Sequence, residues 1–189
     1  MQRTQERLLP SNSVGQRPPV VCLTGPESTG KTSLAVTLAT TLQVPCVTEA
    51  ARDLLRAGEP YDEKDLRAIA AAQLQREQAA IAAGAGAVLD TDVLVIAVWW
   101  RVRFATHAHE PWPDWLSSQL QQRSQRLYLL CLPDLEWQPD PLRESPRGRE
   151  ILLQHYRGLL GQGSLPWTEI GGQGPERSRV ALAAVTSYS

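Results

Sequence analysis

Short runs of apolar residues alternate with longer amphipathic stretches along most of this chain. The apolar runs predict five buried strands, at residues 20–24, 46–48, 87–89, 127–132 and 166–170. Between them, apolar residues recur every three or four positions, as Leu34, Leu38 and Leu42 do, which predicts helices. The predicted helices cover residues 31–42, 50–57, 62–83, 151–160 and 176–186, with a tryptophan-rich helical region after the third strand. Alternating strands and helices predict an α/β fold, a parallel five-stranded sheet with helices on both faces.

The first 18 residues do not share this pattern, since they are rich in Gln, Arg, Ser, Asn and Pro. We therefore expect a flexible N-terminal segment at 1–18 and one domain over 19–189. The whole chain of 189 residues is 42% hydrophobic and 21% charged, which is typical of a globular domain. Its net charge of −1 argues against non-specific binding to nucleic acid, which requires an excess of Lys and Arg.

Nothing in the sequence indicates a membrane or an oxidising compartment. The longest apolar run, residues 93–100, is far shorter than the roughly 20 residues of a membrane-spanning helix. Residues 1–10 are charged and lack the apolar stretch of a signal peptide. The cysteines, which lie in apolar runs without metal-ligand spacing, are expected to be reduced core residues: Cys22, Cys46 and Cys131. We expect a cytoplasmic protein.

One motif carries specific chemistry. Residues 25–32 read Gly-Pro-Glu-Ser-Thr-Gly-Lys-Thr, which fits the P-loop pattern G-x-x-x-x-G-K-[S/T] between a predicted strand and a predicted helix. The glycines allow backbone N–H groups to surround a phosphate, and the helix N-terminus adds the positive end of its dipole. Lys31 is expected to contact the β- and γ-phosphates of ATP, and the Thr32 hydroxyl to bind Mg²⁺. The predicted nucleotide contacts are Gly25, Glu27, Ser28, Thr29, Gly30, Lys31, Thr32 and Ser33.

Other features narrow the class of P-loop protein. A GTPase reads guanine with an Asn-Lys-x-Asp motif, but Asn12, upstream of the P-loop, is the only asparagine in the chain. The Gly171–Gly174 stretch lacks the flanks of a transporter-ATPase signature, and motor ATPases are longer. Among proteins with a P-loop NTPase fold, a small kinase is the class that remains.

A kinase also needs an anion to orient or deprotonate the acceptor hydroxyl. Glu49 follows the second strand, and Asp90 and Asp92 follow the third, so all three are expected at the ligand-binding edge of the sheet. We predict Glu49 as the general base, with a solvated first-turn residue as the alternative. Asp90 is predicted to hold Mg²⁺ through water, or else to cap a helix. Asp92 is either that cap or a ligand of a substrate hydroxyl, and Arg52 either contacts substrate or pairs with Glu49.

Two further groups are candidates for the acceptor and phosphate contacts. Residues 137–149 carry three arginines in a Pro-rich stretch, which predicts an Arg-rich lid or a solvated loop. Arg143 and Arg147 are the predicted catalytic pair of this lid. Four tryptophans follow the third strand and either stack on a substrate base or pack in the core. They are Trp99, Trp100, Trp112 and Trp115, of which the first two are the predicted substrate contacts.

Taken together, these elements resemble the ribosylnicotinamide kinase domain of NadR-type proteins over residues 19–187. The matching elements are residues 25–32, Glu49-Ala50-Ala51-Arg52, Asp90-Thr91-Asp92, Pro133-Asp134, Glu136-Trp137 and Asp140-Pro141-Leu142-Arg143. The resemblance implies a P-loop NTPase fold of the nucleoside- and nucleotide-kinase type. It also implies ATP-dependent phosphorylation of the 5′-hydroxyl of nicotinamide riboside, which yields nicotinamide mononucleotide for NAD synthesis. It implies metal and substrate roles for Asp90 and Glu49, and phosphate contacts for Arg143 and Arg147.

The resemblance also sets limits and leaves alternatives. The His-x-Gly-His element of the adenylyltransferase domain in NadR-type proteins is missing, so neither adenylyl transfer nor repression is expected. The residues themselves are also compatible with an ATP-binding sensor or interaction ATPase that lacks an acceptor site. A P-loop kinase for another small hydroxylated acceptor is the third possibility.

Overall fold

A computed structural model describes residues 19–56, 58–84, 86–105, 111–123, 125–140 and 148–188. Its centre is a sheet of five strands in the order β2-β3-β1-β4-β5, and every neighbouring pair is parallel. This confirms the parallel sheet predicted from the apolar runs. The strands are β1 Val20–Thr24, β2 Cys46–Val47, β3 Ala87–Asp90, β4 Leu127–Cys131 and β5 Trp167–Ile170.

The described residues form seven helices, which cover both faces of the sheet. Most match the predicted ranges, and the tryptophan-rich region forms two helices, but the predicted helix at 50–57 is a single turn. That turn ends because Leu55 adopts an extended conformation. The helices are α1 Lys31–Leu42, α2 Ala51–Leu54, α3 Glu63–Ala82, α4 Val93–Arg103, α5 Asp114–Gln121, α6 Arg149–Gln162 and α7 Gly174–Tyr188.

The central strand β1 is buried over its full length because both of its faces are covered. Val20 and Cys22 point to the core formed with α3, α4, α5 and α6, whereas Val21 and Leu23 point to the core formed with α1 and α7. This explains why the strand is a continuous apolar run and not an alternating one.

The cysteines and the length of the helices can be compared with the sequence expectations. None of the three cysteines forms a disulfide; Cys22 and Cys131 are buried and Cys46 is half-buried. In the described ranges no helix has both the length and the apolar character needed to pass through a bilayer.

The sheet order determines where a ligand can bind. The chain leaves β1 through α1 toward β2 on one side, and β4 lies on the other side of β1. In open parallel sheets such a reversal leaves a crevice beyond the carboxyl ends of the strands. The P-loop lies there, because it follows β1 directly.

Candidate active site

The loop between β1 and α1 has a backbone that requires glycine at both ends. Gly25 has φ +131°, and a Cβ atom there would lie 2.6 Å from the Cys131 carbonyl oxygen. Gly30, directly before α1, has φ +73°, and its Cβ would meet the Leu135 side chain at 2.9 Å. No side chain caps the start of α1, so the N–H groups of its first turn are suited to bind an anion.

The Lys31 ammonium is held over this loop. Its Nζ donates hydrogen bonds to the carbonyl oxygens of Gly25, at 2.9 Å, and Pro26, at 2.7 Å. The buried Thr29 hydroxyl donates to the same Pro26 oxygen. All eight predicted nucleotide contacts line one cavity of about 560 Å³. A phosphate bound by the loop would therefore meet a fixed positive charge.

The loop is also braced by Arg177, a buried residue of α7, which packs on the same face of the sheet as α1. One guanidinium nitrogen donates to Asp134 Oδ1 at 2.7 Å and to the Gly172 carbonyl. The other donates to the carbonyl oxygens of Thr29, at 2.9 Å, and Leu132. Asp134 accepts in addition the Gly172 N–H. These bonds join the P-loop to the chain that follows β4 and β5.

Two carboxylates follow the neighbouring strands β2 and β3. Glu49 lines the cavity and lies just before the Ala50 N-cap of α2, so it is not a first-turn helix residue. Burial raises the pKa of Glu49, and the nearby positive charges of Lys31 and Arg52 oppose this rise. A carboxylate with a raised pKa beside a phosphate site is suited to accept a proton from a hydroxyl group.

Asp90, the last residue of β3, is only 3% exposed and does not line the cavity. It lies beside Leu23 of β1, the strand that leads into the P-loop, and its negative charge contributes to the raised pKa of Glu49. It is not the cap of α4, because that cap is Asp92. Mg²⁺ is commonly held by one or two carboxylates, often through water, together with substrate phosphates.

Asp92 serves the fold instead of the cavity. Its Oδ1 accepts the Leu94 N–H at 2.9 Å as the N-cap of α4, and its Oδ2 accepts from Arg126 and from the Tyr128 hydroxyl. The residue is fully buried and does not line the cavity. Of its two predicted roles, the structure supports the helix cap and contradicts the substrate ligand, because both oxygens are already occupied.

Arg52 extends from α2 across the edge of the cavity. Its Nε lies 3.4 Å from Glu49 Oε2, and its Nη1 lies 3.1 Å from Asp140 Oδ2. The predicted pairing with Glu49 is therefore present. Asp140 is a residue of the predicted lid, so this contact connects α2 to the lid.

The tryptophans divide between cavity and core. Trp99 lines the cavity beside Tyr61, with ring centroids 5.8 Å apart. Trp100, one position on, is buried in the core and does not line the cavity; it stacks on Phe104 and meets Trp115 edge-on. The prediction of a substrate contact is thus wrong for Trp100, because adjacent helix residues point about 100° apart.

Comparison with known proteins places this architecture in a family. A family model described as an AAA domain matches residues 20–177. The chain belongs to this family. No curated protein sequence matches it significantly.

Solved structures share the fold of this AAA domain at low sequence identity. The NadR protein in complex with NR is 22% identical, with a TM-score of 0.78 over 91% of this chain and 51% of the other. The NadR protein in complex with NAD and AMP-PNP is 21% identical, with a TM-score of 0.76 over 91% of this chain and 50% of the other. Deoxyadenosine kinase from M. mycoides, with dCMP and dCDP bound, is 9% identical, with a TM-score of 0.66 over 88% of this chain and 98% of the other. These likenesses confirm the P-loop nucleoside-kinase fold and the resemblance to NadR, of which this chain spans about half the length.

The predicted lid arginines, Arg143 and Arg147, lie outside the described residues of the AAA domain. The segment before them contacts the P-loop, since the Ser28 hydroxyl accepts the Gln138 N–H at 2.8 Å. Arg149, at the start of α6, donates to the Leu135 carbonyl at 2.9 Å and to the Ser28 carbonyl at 3.4 Å. Both ends of the predicted lid are thus attached near the phosphate site.

Sequence reasoning about the AAA domain missed Arg177 and Tyr61. A signal for Arg177 was present, because it lies four and eight positions before Ala181 and Val185, the other buried residues of α7. An arginine in register with a buried helix face needs a buried partner. Tyr61 had no comparable signal, since only the tertiary structure brings it to Trp99.

Proposed function

We propose that this protein is an ATP-dependent nucleoside kinase that phosphorylates the 5′-hydroxyl of nicotinamide riboside. The observation that carries the proposal is a single cavity of about 560 Å³ lined by the P-loop, by Glu49 and by the aromatic pair Tyr61 and Trp99. Such a cavity provides a phosphate site, a base and a flat apolar surface in one enclosure. The shared fold with NadR, one of whose structures contains NR, supports the same acceptor.

The proposed reaction is an in-line phosphoryl transfer. Lys31 and the first-turn N–H groups of α1 hold the β- and γ-phosphates, which is where charge must be stabilised. Glu49 accepts the proton of the acceptor hydroxyl while that oxygen forms a bond to the γ-phosphorus. The bond from the γ-phosphorus to the bridging oxygen breaks, and ADP leaves with the electron pair. Arg52, Arg143 and Arg147 are proposed to contact the substrate and the transferring phosphate.

Thr32 and Asp90 are the residues we propose to hold Mg²⁺, Thr32 through its hydroxyl and Asp90 through a coordinated water. When bound, the ion would neutralise charge on the β- and γ-phosphate oxygens. The role of Asp90 rests on its buried carboxylate, which lies at the end of β3 beside the strand that leads into the P-loop.

The acceptor end of the cavity is suited to a flat cationic base. Trp99 offers an indole face, and tryptophan is the side chain that attracts a cation most strongly through its ring. The nicotinamide ring of nicotinamide riboside is a pyridinium cation. A neutral nucleoside would stack on the same surface without the added charge attraction.

We also propose that residues 19–189 act as one kinase domain in the cytoplasm.

A product assay tests the proposal. Purified protein with Mg·ATP is incubated with nicotinamide riboside or with a panel of nucleosides, and nicotinamide mononucleotide is quantified. Lys31→Ala should reduce turnover by at least about 1,000-fold, because it removes the charge over the transferring phosphate. The chain offers a matched control in its only other lysine, the exposed Lys64, and Lys64→Ala should retain normal turnover.

Other outcomes would redirect the proposal. A faster reaction with another nucleoside would retain the kinase and replace the acceptor. ATP hydrolysis at a rate that no nucleoside changes would contradict the kinase and favour an ATP-binding sensor. Normal turnover in Lys31→Ala would contradict the proposed role of the P-loop, on which both the kinase and the ATP-binding sensor depend.

A further inference from the structure

A glutamine in the middle of α3 connects the two strand ends that carry the candidate carboxylates. Gln73 is 2% exposed, and its Oε1 accepts the Ala50 N–H at 2.8 Å. Its Nε2 donates to the Thr91 carbonyl oxygen at 3.2 Å. Ala50 directly follows Glu49 and Thr91 directly follows Asp90. One side-chain amide therefore joins the backbone next to both carboxylates.

The residue held by this amide has a strained backbone. Thr91 has φ +73°, a left-handed conformation that is exceptional for a β-branched residue and costs on the order of 1–3 kcal/mol. Its hydroxyl is buried and has no hydrogen-bond partner among the described residues, so the side chain does not offset the strain. The backbone does, because the Thr91 N–H donates to the Leu23 carbonyl at 3.0 Å while the Thr91 carbonyl accepts from Gln73.

Gln73 belongs to a buried polar chain, defined as Gln73, Glu77, Arg126 and Asp92. Glu77 lies one helical turn after Gln73 on the same buried face of α3. Arg126 donates to Glu77 at 3.0 Å and to Asp92 at 2.8 Å, and all four side chains are at most 2% exposed. The chain ends at Asp92, the residue after Thr91. The strained residue is thus held on both sides by groups that cannot exchange their partners for water.

We propose that Gln73 is a positioning residue that sets the separation of Glu49 and Asp90. It does so by tying the ends of β2 and β3 together and by holding Thr91 in its left-handed conformation. Gln73 does not line the cavity, so it acts through these two backbone contacts and not on a ligand. This inference rests on the proposed function, because it assumes that Glu49 and Asp90 act on one reaction.

The test combines Gln73→Met, which removes both hydrogen bonds at similar volume, with Thr91→Gly, which removes the backbone strain. Gln73→Met should lower kcat by about 10- to 100-fold, the scale expected when a catalytic group is displaced by about 1 Å, with KM for ATP nearly unchanged. In the Thr91→Gly background the same substitution should cost only about threefold. Glycine adopts a positive φ without strain, so the chain after Asp90 no longer needs the amide to hold it.

A purely structural glutamine would behave differently. Equal fold-losses of kcat in both backgrounds would overturn the proposal, as would a lowered Tm with unchanged kcat in Gln73→Met. If Gln73→Met does not fold, Gln73→Asn replaces it. Its amide is one methylene shorter and cannot reach both strand ends, so it should show the same dependence on the residue at position 91.

A second measurement separates this inference from the proposed function. If no nucleoside is phosphorylated, the proposed function fails, and the effect of Mg²⁺ on ATP affinity is measured instead by titration calorimetry. Mg²⁺ should increase the ATP affinity of Gln73→Met by a factor about tenfold smaller than in the unmodified protein, since Asp90 is displaced. The affinity for ATP without Mg²⁺ should be unchanged. An unchanged Mg²⁺ effect would overturn the positioning role independently of the acceptor.

Discussion

The two ends of the cavity are built in different ways. At the nucleotide end, residues 25–32 are contiguous, and the contacts of Lys31 and Thr29 with the loop carbonyls span six positions or fewer. At the acceptor end, Glu49, Tyr61 and Trp99 come from positions up to 50 residues apart. The first end is shaped by backbone conformation, and the second by the elements packed around it.

This difference has a consequence for mutation. Apart from the brace at Arg177, the P-loop is shaped by its own backbone and should tolerate changes elsewhere. The acceptor end is instead proposed to depend on a buried polar chain that never touches a ligand. Substitutions at the acceptor end should therefore change turnover or acceptor affinity and leave ATP affinity intact. Three predictions test this separation.

The largest expected effect is that of Glu49→Gln. Removing a general base lowers kcat by about 10²- to 10⁴-fold, while the affinity for ATP should stay within about twofold because the P-loop is untouched. Steady-state kinetics and calorimetry measure the two quantities. The control is Glu59→Gln, at an exposed carboxylate on the rim of the same cavity. A parallel loss of ATP affinity in Glu49→Gln would show that the two ends are not separate.

An intermediate effect is expected from a pair of adjacent tryptophans. Trp99→Ala should raise KM for nicotinamide riboside by about 5- to 150-fold, which corresponds to the loss of about 1–3 kcal/mol of stacking. Trp100→Ala should leave KM unchanged and destabilise the fold by about 3–5 kcal/mol, since Trp100 packs in the core.

An uncharged acceptor sharpens the same comparison. Reduced nicotinamide riboside has nearly the same shape without the pyridinium charge, so its KM should depend less on Trp99. An equal dependence for both acceptors would assign Trp99 to stacking alone. A raised KM in Trp100→Ala would contradict the division between cavity and core.

The smallest expected effect concerns pH. Burial and the neighbouring Asp92 raise the pKa of Glu77 to about 7, against the opposing charge of Arg126. The folded chain therefore holds this proton more tightly than the unfolded chain, whose glutamate has a pKa near 4.3. The resulting stabilisation is complete below about pH 4 and is lost as the pH rises to 7.

Glu77→Gln imitates the protonated side chain and should remove this loss. Its Tm should vary less between pH 5 and pH 8 than that of the unmodified protein, while the P-loop end retains its ATP affinity. Thermal melting across this range measures the slope, with the exposed Glu59→Gln as control. An unchanged slope in Glu77→Gln would show that Glu77 does not titrate here.

Much of the fold and half of the site follow from local patterns in the sequence. The continuous apolar runs determined a parallel sheet, since only strands covered on both faces need them. The P-loop was readable because its chemistry requires glycine and lysine at fixed spacing in one short segment. The positions of Glu49 and Asp90 followed from the rule that parallel strands end at one edge of the sheet.

Only the tertiary structure decided which of several equivalent residues reach the cavity. Trp99 and Trp100 are adjacent and identical in the sequence, and only the orientation of α4 against the core places one at the cavity and the other in the core. Asp90 ends β3 and Asp92 caps α4, because the left-handed Thr91 between them turns the chain from the strand into the helix. Gln73 and Arg177 act through backbone groups of distant segments, such as Ala50 and Thr29. A backbone carbonyl or N–H has the same chemistry at every position of the chain, so no sequence pattern marks the ones that a buried side chain will bind.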